Sequence, residues 1–284
     1  MIRRPRELFE SDDTHPQEIS MTIRFGTMQA PRSAADWLET ARTAERQGYH
    51  TILMPDTLRT ASPFPALAAA AAVTTTLRVR PNVIAAPLRT AAATVREIAA
   101  LQQLSDGRFE LGIGIGRPDA LQEAEKLGRP GGSASQRRAD LIETVTAVRA
   151  EVDPAPPVMI AASGPRMLAA AGRIADRVLF ALYPTATEND LAQMIATVRE
   201  NADRPVAFTT QLIGIGDQLA PPPGNWQVPP PAELREAGSV ALLPADPAEA
   251  VAILERRRDT YGIDEVIVPG ALAEAFQPIL DRLR

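Results

Sequence analysis

The sequence contains no cysteine, which excludes disulfides, thiolate catalysis and cysteine-based metal sites. Histidine is almost as scarce. His15 and His50 are the only two, too few for a metal centre or a Ser-His-Asp triad. No metal is therefore expected, and any acid or base must be a carboxylate, Tyr, Lys, Arg or a bound cofactor. No apolar run is long enough to span a bilayer. Residues 1–20 start basic, lack an apolar h-region and soon turn acidic, which is not the pattern of a signal peptide. They read as a weakly ordered extension ahead of one domain at 21–284, and a cytoplasmic protein is expected. A surplus of positive charge is missing as well. The net charge of -5 argues against nucleic acid or an anionic membrane as partner and leaves a small molecule.

What is present is a long alternation of strand and helix patterns. At 284 residues and 45% hydrophobic, the chain can bury one large α/β core or two small ones. The stretch around which the rest is organised is LSDGRFELGIGIGR, residues 104–117. Ser105, Asp106 and Gly107 supply turn chemistry, and residues 109–115 then read as a strand. Gly112, Gly114 and Gly116 alternate along and beyond it, leaving one face bare for a flat ligand or for another stretch of backbone. The spacing GxGxG, with no helix opening on the last Gly, does not fit a dinucleotide fingerprint.

Before that stretch, residues 23–28 read as a strand, Ser33 and Asp36 as a helix start, and Gly48 as that helix's stop. Residues 51–55 form a second strand, whose end places Asp56 where a strand opens into a loop. Residues 65–75 are apolar nearly all round, which implies a helix covered on more than one side. A strand at 78–84 and a helix at 91–104 follow. After the Gly-rich strand, residues 118–135 read as a long loop, and Leu141, Ile142, Val145 and Val148 mark a helix. The second half repeats the pattern, with strands at 158–161, 177–180, 206–215 and 265–268. Thr187 with Asp190, and Asp246 with Pro247 and Glu249, start two of its helices. Eight strands, each followed by a helix, predict a single α/β domain, a closed parallel (β/α)8 TIM barrel. Residues 217–231, DQLAPPPGNWQVPPP, are too Pro-rich for a helix and read either as an active-site lid with Trp226 at its tip or as an exposed linker.

With these elements placed, several segments carry a family resemblance. RFGTMQ falls at the first strand, GYHTILMPD at the second, TTLRVRPNV at the third and LQQLSDGRFELGIGIG at the fourth. PVMIAASGPRMLAAAGRIADRV and RRRDTYGIDEVIV follow. Together they resemble the luciferase-like monooxygenases, the family of bacterial luciferase and of oxidoreductases that use the deazaflavin coenzyme F420. The resemblance covers nearly all of residues 21–284 and implies a barrel with shortened, Pro-rich loops at its C-terminal face. It implies a cofactor phosphate held by Ala162, Ser163, Gly164 and Arg166, where helix N-terminal N–H groups favour an anion, with Arg117 as a further phosphate contact. Relatives carry a non-proline cis peptide against the flavin ring, and the matching bond is Asn82–Val83. Gly114 lies on the bare strand beside it. Met28 and Thr57 are assigned to the substrate pocket, with Trp226 on the lid. The helices at 65–75 and 91–104 match the pair that forms a homodimer interface in the family.

The departures from the family bear on the reaction. Where relatives often have Asp-His, Asp56 is followed by Thr57; where they have Arg-His-Pro, Arg89 is followed by Thr90 and Ala91. Arg117 stands where the sugar-phosphate dehydrogenase branch has Glu, which excludes that substrate. Asp56 is the best-placed acid/base residue, or a loop-bonding Asp. The leading expectation is a hydride-transferring F420 oxidoreductase of secondary metabolism, with Arg59, Arg117 or Arg129 meeting the acidic tail of F420. The alternatives are a reduced-FMN monooxygenase using O2 and a barrel without redox chemistry, such as an isomerase, cyclase or binding protein.

Overall fold

The computed structural model describes residues 22–117, 120–129, 131–222 and 227–284. The expected extension at 1–20 and the expected lid tip, Trp226, lie outside the described residues. From the N-terminus run β1 (Arg24–Met28), α1 (Ala34–Gln47), β2 (Thr51–Met54), α2 (Pro63–Ala72), β3 (Arg78–Pro81) and β4 (Ile84–Ala85). Then come α3 (Ala91–Leu104), β5 (Leu111–Gly114), α4 (Ala120–Lys126), α5 (Ala134–Glu151), β6 (Val158–Ala162), α6 (Pro165–Ile174), β7 (Arg177–Phe180) and α7 (Glu188–Glu200). The chain ends with β8 (Ala207–Gln211), β9 (Gly214–Ile215), β10 (Gln218–Leu219), α8 (Pro231–Glu236), β11 (Leu242–Leu243), α9 (Pro247–Tyr261), β12 (Ile263–Pro269) and α10 (Ala273–Leu280).

Local chemistry sets the helix ends. Ser33 accepts from the Asp36 N–H, and Gly48 closes α1 at φ 84°, a left-handed angle that glycine adopts without a Cβ penalty. Thr187 and Asp190 form the expected capping box. A second box, Ser133 with Gln136, opens α5 within the segment expected to be a loop.

The main sheet is parallel, in the order β3, β2, β1, β12, β8, β7, β6, β5, β4. Its two end strands are one passage of chain interrupted at residues 82–83, and both flank the same neighbour. β4 pairs with β5, and Val79 bridges Phe109. Counting β3 and β4 as one strand, eight strands form a nearly closed ring with helices outside, as predicted.

Four local expectations are corrected. Residues 118–135 are not loop throughout, because α4 packs Ala120 and Ala124 against Ala85 and Leu88. The strand expected at 206–215 divides: β8 stays in the barrel, while β9 joins β10 and β11 in a small separate sheet. The segment 217–231 is not simply an extended loop, since it contains β10 and reaches the start of α8. The helix expected at 65–75 starts at Pro63 and ends at Ala72.

Strand alternation sends one set of side chains to the outer helices and the other into the ring. The inward set is layered. Lowest is a charged layer in which fully buried Arg80 donates to Glu110 and Glu265, each at 2.7 Å, and Thr209 donates to Glu265 at 2.8 Å. Burial opposes ionisation of Glu265, but Arg80 and Arg177 outweigh it and hold the carboxyl below its ordinary range. Above lies an apolar layer of Leu53, Met159, Leu179 and Ile267, topped by partly buried Met28, Val83 and Ala161. Gly112 is the narrow point of this interior, because a Cβ there would collide with the Pro81 carbonyl oxygen. Of the two readings of the bare strand face, the one realised at Gly112 is approach by another backbone.

A candidate active site at the mouth of the barrel

The C-terminal ends of the barrel strands open on one face, where barrel enzymes place their chemistry. Its floor is uncharged. The Asn82–Val83 peptide is cis, as the resemblance implied. Val83 rests against the strand at Gly114, where a Cβ would approach its Cγ2 to 2.9 Å. Asn82 reaches across to β8 and donates through Nδ2 to Gln211 Oε1 at 3.1 Å, with Met28 Sδ 3.5 Å from the same nitrogen. Asn82 Oδ1 is buried without a hydrogen-bond partner. Asn82, Val83, Gly114 and Met28 are thus brought together, and Gln211 joins them.

On one side of the floor, β6 runs into the start of α6. Ala162 is buried, whereas Ser163, Gly164, Pro165 and Arg166 are exposed. Gly164 is the N-cap and has no side chain to bond the first N–H groups, and a Cβ there would meet nothing within 4 Å. Arg166 has no ion pair among the described residues. Open N–H groups beside a cation fit a phosphate. Arg117 follows β5, the strand next to β6, and its Nη2 lies 3.8 Å from Glu123 Oε1 of α4. Glu123 is 6% exposed, and its Oε2 has no hydrogen-bond partner.

Asp56 is one half of a bidentate ion pair with Arg89 rather than a free acid or base. Arg89 Nη1 meets Oδ2, Nη2 donates to Oδ1 at 3.1 Å, and the Ala85 N–H donates to Oδ2 at 3.3 Å. Arg89 also sits over the Phe64 ring at 5.4 Å and lies 3.8 Å from Glu97. The pair ties the loop after β2 to the turn after β4, the loop-bonding reading of this Asp. The Thr57 hydroxyl serves its own turn, accepting from the Arg59 N–H at 3.0 Å.

Gln211 and Glu123 went unnoticed in the sequence. For Gln211 the signal was available: it is a polar residue at the inward-facing register of a strand's C-terminal end. Glu123 carried no such signal, because α4 was not recognised as a helix.

A model of the luciferase-like monooxygenase family matches residues 18–215. No curated protein sequence matches the chain. Among solved structures, an F420-dependent secondary alcohol dehydrogenase in complex with an F420-acetone adduct is similar with a TM-score of 0.71 and 17% identity, over 93% of this chain and 100% of that one. The coenzyme F420-dependent tetrahydromethanopterin reductase of Methanopyrus kandleri gives 0.69 and 17%, over 91% and 97%. Riboflavin lyase with modified FMN and substrate riboflavin gives 0.74 and 12%, over 93% and 91%. Identities this low speak to the fold alone. With the family model spanning more than half of the chain and the barrel shared with these structures, the chain belongs to the luciferase-like monooxygenase family.

Proposed function

We propose that this barrel is an oxidoreductase that holds coenzyme F420 at its mouth and passes hydride between it and a small organic substrate. The observation that carries the reading is the uncapped start of α6 at Gly164, beside exposed Arg166 and next to the strand that leads to Arg117. Ser163, Gly164 and Arg166 would take the cofactor's phosphate, with Arg117 at the neighbouring rim and Ala162 packing beneath. Asn82, Val83 and Gly114 would back its ring. The bound deazaflavin would supply hydride chemistry, and the protein orientation and exclusion of water. Met28 and Thr57 border the space left for substrate, and Trp226 belongs to the segment proposed to cover it. Asp56 acts in this reading by positioning: through Arg89 and the Ala85 N–H it fixes the turn that carries the floor.

Two of the similar structures are named as F420-dependent, which favours F420. A second reading, a reduced-FMN enzyme using O2, draws on the likeness to a lyase solved with modified FMN. The enzyme is proposed to be cytoplasmic and to act as a homodimer through α2 and α3. Ala92, Ala93, Ala99 and Ala100 are exposed on α3, beside Arg96, Glu97, Gln103 and Leu104. No helix among the described residues is long and apolar enough to cross a membrane.

The test is anaerobic titration with oxidised and reduced F420 and FMN, followed by cofactor fluorescence and thermal stability. F420 at about 100 times its Kd is expected to stabilise the fold by about 2.7 kcal/mol, and Arg166→Ala to weaken that binding. FMN preference would move the reading to oxygen chemistry. Binding of neither would leave a barrel without redox function.

A further inference from the structure

Glu123 is a buried carboxylate that the proposed cofactor site does not use. It is 6% exposed, its Oε2 has no hydrogen-bond partner, and among the described residues no donor bonds its Oε1 either. Arg117 Nη2 lies 3.8 Å from Oε1, an ion pair without a hydrogen bond. A carboxylate held this way costs the fold stability, because burial removes its water and no hydrogen bond replaces it. The docking of α4 does not need the charge. Ala120 and Ala124 supply it by packing on Ala85 and Leu88, and an uncharged residue at 123 would accompany them at lower cost.

The position of Glu123 ties it to the mouth through Arg117. In the pairing of β5 with β6, Ile113 is the register partner of Ile160. Arg117 lies four residues beyond the first and Gly164 four beyond the second. Equal lengths of chain therefore lead from one pair of adjacent residues to the rim arginine and to the open start of α6. In the proposed site, a phosphate at Gly164 and Arg166 and the carboxylate of Glu123 compete for the same guanidinium.

The carboxylate offsets part of the field that Arg117 would present to an anion, and it repels that anion directly. Both effects grow where water is excluded, which is where Glu123 sits. Neither acts on an uncharged group, so the ring and ribityl chain of a flavin are indifferent to it. We propose that Glu123 acts through Arg117 as a positioning residue, a built-in counter-charge that limits the hold on the cofactor's phosphate and keeps the cofactor exchangeable. This rests on the reading of the α6 start as the phosphate site and adds to it the residue that sets its affinity.

The experiment compares the full wild-type chain with Glu123→Gln, which keeps the size and removes the charge, and with Glu123→Asp, which keeps the charge. F420, FMN and riboflavin are titrated by their own fluorescence, and inorganic phosphate by its effect on thermal unfolding. FMN and riboflavin differ by the phosphate alone. Glu123→Gln is expected to bind whichever of F420 and FMN the wild type takes at least about fivefold more tightly. Its affinity for riboflavin is expected to stay unchanged, and its unfolding temperature to be no lower than that of wild type. Glu123→Asp is expected to stay within about twofold of wild type for every ligand. Unchanged or weaker binding of the phosphate-bearing cofactor by Glu123→Gln, an equal gain for riboflavin, or the same gain in Glu123→Asp would overturn the proposal. A Glu123→Gln protein that is less stable or fails to fold would also overturn it, by showing a structural role. If neither F420 nor FMN binds but inorganic phosphate stabilises Glu123→Gln more than wild type, the counter-charge stands and the redox reading falls. If neither protein binds phosphate in any form, both fall. If F420 binds wild type and Glu123→Gln equally, the cofactor reading stands and the counter-charge falls.

Discussion

Arg80 shows how a single residue constrains this barrel. Its guanidinium is fully buried, and its charge is carried by two carboxylates at 2.7 Å, Glu110 from β5 and Glu265 from β12. Burial alone would favour the neutral side chain, yet these two acids raise its pKa above the ordinary value. Removing one partner leaves an uncompensated charge in the interior. Glu265→Gln is expected to destabilise the fold by about 3–5 kcal/mol, measured by urea unfolding. A loss below about 1 kcal/mol would mean that Glu110 alone satisfies the arginine. Neither Arg80 nor Glu265 stands out in the sequence, where both look like ordinary surface charges on strands. Asp56 was legible as a residue at a strand end, but its ion pair with Arg89 was not, because the partner lies 33 positions away.

Between elements, Glu45 does comparable work. From the last turns of α1 its Oε1 accepts the N–H groups of Thr75, Thr76 and Leu77 at 2.8, 2.6 and 2.9 Å, docking the turn that leads into β3. Burial pushes this carboxyl up, but the three N–H donors prevail and bring it from 4.5 down to about 2. A group whose folded pKa is depressed contributes fully above its unfolded pKa and loses that contribution as pH falls through the folded one. Glu45→Gln is expected to cost about 1 kcal/mol near neutral pH, a modest figure because the group is half-buried and partly screened. The gap between variant and wild type should close as pH falls from about 4.5 toward 2, where wild type too loses the charge. Paired unfolding curves at neutral pH and near pH 3 check this, and a gap that stays constant would refute it. Helix boundaries were the most legible elements, since caps such as Ser33, Thr187 and Asp246 act on N–H groups two or three residues away. α4 was missed because it is held by packing of Ala120 and Ala124 on Ala85 and Leu88 rather than by a local signal.

For the whole molecule, α3 exposes Ala92, Ala93, Ala99, Ala100 and Leu104 outside the ring, interspersed with Arg96, Glu97 and Gln103. Light scattering of the purified chain is expected to give twice the monomer mass, and Ala99→Glu with Ala100→Glu to halve it while leaving the circular dichroism spectrum unchanged. A monomeric wild-type protein would remove the dimer from the proposal.

The sequence by itself determined the alternation of strands and helices that makes the barrel, most of the helix caps and the absence of thiol chemistry. Each of these depends on composition or on residues close together in the chain. Gly112 marks the boundary: its missing side chain was visible, but only the closed ring shows that the space goes to the Pro81 carbonyl and not to a ligand. The tertiary structure alone decided the division of the strand expected at 206–215, because β9 leaves the barrel to pair with β10 and β11, contacts with no sequence periodicity of their own. It also decided the floor of the mouth. Asn82 and Gln211 are separated by 129 positions and meet only because eight strands close into a ring that sets them on opposite walls.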